Sequence, residues 1–266
     1  MTTPPTLSPI EIRRIILSQS YRAHVGHIGS ELSVVEILAA LYGGAMHIPS
    51  PEDPDRDRLV LSKGHAALAL YACLALRGWI PMEQLNTFTG DDTLLGVHPE
   101  KALRGVDFCS GSLGHGLSIG AGAALAARLQ GSKRRVFVLV SDAECNEGSL
   151  WEGVMFAAQH KLSNLVVLVD LNGQQAFGYT RDVLDLSPLA ARWQAFGWHA
   201  QEVPGHDPAA IQAAIQSCSS PAPHVIIART TFGKGVSFME NLIKWHYWPL
   251  SEAEYQQAMA EIEAAA

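Results

Sequence analysis

The chain is poor in cysteine: four thiols, Cys73, Cys109, Cys145 and Cys218, are scattered over 266 residues, and no two form a C-x-x-C pair. That spacing excludes a zinc knuckle and gives no disulfide framework, so free thiols in a reducing cytoplasm are expected. Basic residues are also short, with 19 Lys and Arg against 26 Asp and Glu and a net charge of -7. Nucleic acid and anionic membrane both reward a basic face, so neither is expected as a partner, and any phosphate must be held locally. No apolar run reaches the ~18 residues of a membrane-spanning helix. The start, residues 1–8, is rich in Thr and Pro, lacks the basic-then-apolar pattern of a signal peptide, and reads as a flexible arm. A G-x-G-x-x-G turn after the first strand is missing too, which argues against a nicotinamide dehydrogenase.

What is present is 48 % hydrophobic content arranged in strand-length runs. Segments 58–62, 136–140, 165–169 and 225–228 are continuously apolar rather than alternating, the mark of strands buried on both faces. Helical patterns are read at 8–21, 33–42, 66–77, 149–160, 187–196, 208–217 and 251–264, and a segment rich in small residues opens another at Ser110. Strand-helix alternation of this kind predicts an α/β fold with a mostly parallel central sheet and helices on both faces. No linker or repeat interrupts it, so residues 1–266 read as one domain.

In open parallel sheets ligands sit beyond the carboxyl ends of the strands. One run ends in Ser141-Asp142-Ala143-Glu144 and the next in Asp170-Leu171-Asn172-Gly173-Gln174. A hard divalent cation wants a carboxylate, an amide oxygen, a backbone carbonyl and phosphate oxygens, which Asp142, Asn172 and the carbonyl of Gln174 can supply. Either residue alone is more commonly a turn or cap former. Pairing at successive strand ends is what favours a metal, and the small residues flanking Asp142 would let backbone approach a phosphate.

These residues resemble the thiamine-diphosphate motif, written Gly-Asp-Gly and followed some thirty residues on by Asn. Here 28 residues separate Ala143 from Asn172. Together with Glu144-Cys-Asn-Glu-Gly-Ser-Leu-Trp-Glu152 and the stretch 193–198, the chain is similar over nearly its whole length to transketolases, above all the short two-gene bacterial kind. The resemblance implies a thiamine-diphosphate-binding fold, with the cofactor's diphosphate tied through Mg2+ (Ca2+ or Mn2+ substituting) to Asp142, Asn172 and Gln174. It also implies cofactor contacts at His65, Gly111, Ser112, Leu113, Ala143, Glu147 and His246, Glu147 lying at the interface between two active sites. His27, His98 and His246 match substrate-facing histidines that carry proton traffic, a task imidazole suits near neutral pH.

The resemblance further implies a partner. The glutamate that activates the aminopyrimidine belongs to a second, pyrimidine-binding domain, expected on a separate C-terminal subunit in an α2β2 heterotetramer. The implied reaction transfers a two-carbon ketol unit from a ketose or its phosphate to an aldose. A specialised ketol transferase, deoxyxylulose-phosphate synthase-like or biosynthetic, and a non-catalytic scaffold subunit are the alternatives. Four departures from the family pattern stand out. Ser141 and Ala143 replace the motif glycines, and a Cβ at a left-handed position there would cost of order 1 kcal/mol. Phe177 stands where an aspartate is expected, Ile28 where a proline is usual, and Tyr247-Trp248 follow His246 in place of a glycine. These two aromatics either narrow the funnel to the cofactor or contact the partner. Lys63, Lys234 and Lys244 are expected to be solvated lysines at loop ends.

Overall fold

The computed structural model describes residues 6–265. The strands are β1 (Arg58–Leu61), β2 (Val136–Ser141), β3 (Leu165–Leu171), a hairpin of β4 (Gln174–Gln175) and β5 (Gly178–Tyr179), then β6 (His199–Pro204) and β7 (His224–Arg229). Five of them form one sheet in the order β1-β2-β3-β7-β6, every neighbouring pair parallel. The helices are α1 (Pro9–Ala23), α2 (Ile28–Ser33), α3 (Val35–Ala40), α4 (Ala67–Leu76), α5 (Gly116–Leu129), α6 (Gly148–Gln159), α7 (Thr180–Leu184), α8 (Leu189–Ala195), α9 (Pro208–Gln216), α10 (Lys244–Tyr247) and α11 (Glu252–Ala264).

Because successive side chains of a strand point to opposite faces, each apolar strand feeds two cores. Phe137, Leu139, Val166, Leu168 and Ile226 join α1, α3, α4, α9 and α11 on one face, where Ile12, Ile37, Leu68, Ile211 and Ile262 are buried. Val136, Val138, Val140, Val167, Val169 and Ile227 meet Leu117 of α5, Val154 of α6 and Trp193 of α8 on the other. Helix α4 is apolar around its whole circumference and is buried from Ala67 to Ala75. The expected parallel sheet with helices on both faces is what forms.

Three details differ from the sequence reading. Residues 1–5 of the expected arm lie outside the described residues, but Leu7 is only 5 % exposed and belongs to the core. An apolar residue just before a helix cap is held by the core, and Ser8 caps α1 by accepting from the amide of Glu11. The helix expected at 33–42 is instead α2, α3 and a wide turn over Leu41–Ala45, beginning five residues earlier because His27 in left-handed backbone (φ 67°) starts it. Strand β6 escaped notice because it lies at the sheet edge, where polar residues face solvent and a terminal proline is tolerated.

Helix α5 lies close on the sheet, and two of its glycines separate the causes of small-residue usage. A Cβ at Gly120 would sit 2.3 Å from a methyl of Val138, whereas one at Gly122 meets nothing within 4 Å. Gly120→Ala should therefore destabilise by ~1–3 kcal/mol through overpacking, and Gly122→Ala should stabilise by ~0.5–1 kcal/mol through helix propensity. Urea denaturation of both variants checks this; shifts of the same sign would contradict it.

Candidate active site

The strand ends open on a polar floor built around one buried ion pair. Lys63, just past β1, is fully buried, and its Nζ lies 2.5 Å from Oδ2 of Asp170 near the end of β3. The same Oδ2 accepts from Ser33 Oγ (2.7 Å) and Asn172 Nδ2 (2.8 Å), and Oδ1 accepts from Thr230 Oγ1. Lys63 Nζ also donates to the carbonyl of Ser30 (3.2 Å). Lys63 is thus not the solvated lysine expected: a charge taken out of water is tolerated here because it is paired and hydrogen-bonded. Lys234 and Lys244 do sit part-exposed, beside Glu240 (3.2 Å) and Glu254 (2.6 Å).

This floor sets the orientation of Asn172. With Nδ2 committed to Asp170, its Oδ1 must face the other way, where it accepts from the amide of Gln174 (2.9 Å). Asp142, at the tip of β2, accepts from the amides of Ala143 (2.9 Å) and Gly173 (2.8 Å). The two strand tips therefore meet through the Asn172-Gly173 backbone; Asp142 Oδ2 also accepts from Thr180 Oγ1 (3.4 Å), while Asp142 Oδ1 and Asn172 Oδ1 each accept once among the described residues. Asp142 is buried and makes no ion pair among the described residues; burial, and then the Asp170 carboxylate, push its pKa up to about 7. A buried carboxylate so placed calls for a cation. No group of three His, Cys, Asp or Glu placed to hold a metal ion occurs among the described residues; what meets at the strand tips is one carboxylate, that of Asp142, and the neutral amide of Asn172. Neither Ser141 nor Ala143 has positive φ, so the strain considered for them does not arise.

Above the floor, His27, Lys63, His65, His98, Gly111, Leu113, Ala143, Asn172, Gln174 and His246 line a cavity of about 230 Å3. The rings of His27, His65 and His246 lie 5.4, 5.3 and 5.6 Å apart pairwise. His65 Nε2 is 2.8 Å from Ser30 Oγ, and the amide of His27 donates to the carbonyl of His246 (3.1 Å). Gly111 (φ 150°) carries no Cβ where one would lie 3.1 Å from the His98 ring. All three clustered imidazoles are pushed toward the neutral form, first by burial: His65 well below its ordinary value, with Lys63 and then the neighbouring imidazoles adding to it; His27 lowered, with His98 and then Lys63 adding; His246 lowered to about 4, with His27 and then Lys63 adding. A larger open depression of about 660 Å3 lies at the opposite strand ends, but its Arg135 is already paired with Asp57 (2.8 Å).

Of the residues singled out from sequence, Asp142 faces a small adjoining space shared with Thr180 rather than the histidine cavity itself, and Ser112 and Glu147 are exposed and line neither. Sequence reasoning missed Lys63, Asp170, Ser30, Phe232 and Glu144. Glu144 is buried beneath the glycine turn, accepting from Ser62 Oγ and from the amides of Gly114 (2.9 Å) and Ser141 (2.9 Å). A charged residue at or just past a strand end was the available signal for all three ionisable members.

Two outcomes follow from these electrostatics. Lys63→Met leaves the Asp170 charge buried and alone, so it should cost ~3–5 kcal/mol, and adding Asp170→Asn should recover much of that; a double variant no more stable than the single in urea would contradict the pairing. The histidines take up protons later in the folded chain than in the unfolded one, so their contribution is fully present above pH ~6.5 and is lost as pH falls toward about 4. His246→Gln should flatten that decline in a pH series of melting temperatures.

The whole-chain comparisons agree with this geometry. Residues 9–263 match the family described as transketolase, thiamine diphosphate binding domain. Among curated relatives, the 6-deoxy-6-sulfo-D-fructose transketolase subunit of Clostridium sp. (strain MSTE9) is 40 % identical over 257 residues, 95 % of this chain and 94 % of that one. An apulose-4-phosphate transketolase subunit of Phocaeicola vulgatus is 38 % identical, covering 94 % and 90 %. The transketolase of Campylobacter jejuni superposes with a TM-score of 0.88 at 30 % identity over 96 % of this chain, which spans 42 % of that structure's chain. The fold, the strand-tip site and these matches together show that the chain belongs to the transketolase family and constitutes its thiamine-diphosphate-binding domain.

Proposed function

We propose that this chain is the diphosphate- and magnesium-binding subunit of a two-subunit transketolase-type enzyme, moving a two-carbon ketol unit from a ketose or its phosphate to an aldose. The observation that carries this reading is the joining of three neutral imidazoles and an oriented Asn172 amide in one cavity beside the unpaired Asp142 carboxylate. Asp142, the Asn172 Oδ1 and the backbone carbonyl of Gln174 are the proposed ligands of Mg2+, with Ca2+ or Mn2+ as substitutes. Thiamine diphosphate, when bound, supplies the carbanion that attacks the donor carbonyl and holds the electrons of the broken bond.

The chain's own residues do the rest. Ala143 and the Gly111-Leu113 turn offer small or apolar surface against the cofactor, Ser112 and Glu147 lying at the outer edge, where the partner completes the site. His65, oriented by Ser30, and His246 bound the diphosphate side. His27, His98 and His246, two of them held neutral by burial, donate to or accept from sugar hydroxyls and move the proton of the donor alcohol. The aminopyrimidine-activating glutamate comes from a pyrimidine-domain subunit, assembled as α2β2 in the cytoplasm. The relatives named for sulfofructose and apulose 4-phosphate favour a monosaccharide ketose donor and, with Tyr247 in place of glycine, a specialised pathway as the second reading.

Titration calorimetry of thiamine diphosphate with Mg2+ into the chain plus its partner should give binding heat that Asp142→Ala abolishes, and only the mixture should cleave a ketose donor. Unchanged heat in that variant, or turnover by the chain alone, would overturn the reading. Asp142 also makes stability depend on pH. Its folded pKa is raised, so it favours the fold at low pH and that contribution is lost as pH rises through about 7. The rise from its ordinary value to about 7 corresponds to about 4 kcal/mol. Asparagine's one acceptor can serve only one of the two backbone amides, so Asp142→Asn should stabilise the chain without ligand at pH 8 by a smaller amount, ~1–2 kcal/mol, while losing metal-dependent binding.

A further inference from the structure

The hairpin of β4 and β5 walls one side of the histidine cavity through Gln174, Gln175 and Ala176. Two residues per strand cannot hold such a hairpin in place by themselves. Its position is set by the bond from Gln175 Nε2 to Asn146 Oδ1 (3.0 Å) and by bonds to the segment 241–247. Gln174 Nε2 and Tyr179 Oη both donate to the carbonyl of Asn241 (3.1 and 3.3 Å), and Tyr247 Oη donates to the carbonyl of Ala176 at 2.6 Å. The last is the only one of the three that reaches the loop tip.

Tyr247 also touches the other walls. Its ring stands edge-on to the His246 imidazole, centroids 4.9 Å apart, with Phe232 stacked on that imidazole at 6.3 Å. Its backbone carbonyl packs so closely on Gly26 that a Cβ there would lie 2.6 Å away, next to His27. One residue therefore ties the His27 loop, His246 and the hairpin tip together, at the position where the family pattern leads one to expect glycine.

Resting on the transferase reading above, we propose that Tyr247 is a specificity-determining clamp: by fixing Ala176 opposite His246 it narrows the funnel to slender, unbranched ketose donors. Glycine at this position would leave the Ala176 carbonyl without its donor and loosen the hairpin tip, while the bonds of Gln174 and Tyr179 to Asn241 still hold its strands. The exposed neighbours Phe177 and Trp248 add no such tie, since their side chains make no hydrogen bond among the described residues.

The test compares wild type, Tyr247→Phe and Tyr247→Gly, each assembled with the pyrimidine-domain subunit, thiamine diphosphate and Mg2+. Loss of the hydroxyl alone should speed hydrogen exchange of amides 174–179 by ~5-fold, the worth of one net hydrogen bond, with α5 and α6 unchanged. Tyr247→Gly should raise kcat/KM for a ketose branched at the carbon beside the carbonyl, relative to the linear isomer, by at least ~10-fold, chiefly through KM. Tyr247→Phe should move the same ratio in the same direction by less, which keeps the test decisive if the glycine variant does not fold. An active wild-type pair whose variants show unchanged exchange and an unchanged branched-to-linear ratio overturns the clamp alone. A wild-type pair that binds the cofactor but cleaves no ketose overturns the transferase reading, and the clamp's role in specificity with it.

Discussion

The site depends on the contact between Lys63 and Asp170. Both are fully buried beneath the strand tips, and neither is tolerable there without the other. The pair does three things at once. It consumes the carboxylate of Asp170, which serves as an acceptor for Ser33, Asn172 and Thr230. By taking the Asn172 amide nitrogen it leaves the amide oxygen facing the Asp142 side. And it sets a fixed positive charge under the cavity floor, which helps to keep His27, His65 and His246 uncharged.

That third effect ties the floor to the chemistry. A neutral imidazole can both give and take a proton, whereas an imidazolium can only give, so the proposed proton traffic among sugar hydroxyls gains from suppressing the charged form. Burial is the larger cause and Lys63 reinforces it. The same burial acts the opposite way on Asp142, whose raised pKa marks a carboxylate lacking its counter-charge. Histidines held neutral and an aspartate short of a cation are thus two responses to one low-dielectric pocket, and only the aspartate's is relieved by a metal ion.

The sheet was readable in advance because buried parallel strands announce themselves as unbroken apolar runs, as 136–140 and 165–169 do. The edge strand β6 was not, since a strand half in water has no such run. Asp142, Asn172 and the four loop histidines were visible as polar residues at strand ends and beside glycines. Lys63 was misjudged for a definite reason: sequence places it in a loop, and only tertiary pairing with a residue 107 positions away makes a buried lysine acceptable. Glu144 escaped likewise, because its partners Ser62 and Gly114 are 82 and 30 positions distant. Local patterns reveal which residues are polar where polarity is unusual; they do not reveal which of them neutralise each other.

The altered strand-tip motif sharpens this point. Glycine is required where backbone runs left-handed or where another group presses against the Cα, and those are separate demands. At Ser141 and Ala143 the first demand is absent, because neither residue has positive φ, and both positions accept a small side chain. At Gly111 both demands are present, with φ of 150° and the His98 ring 3.1 Å from where a Cβ would stand. The strand tip therefore tolerates departure from the family pattern while the turn beneath His98 does not. The departure that bonds to the cavity's hairpin wall lies in neither place but at Tyr247, whose hydroxyl donates to the carbonyl of Ala176.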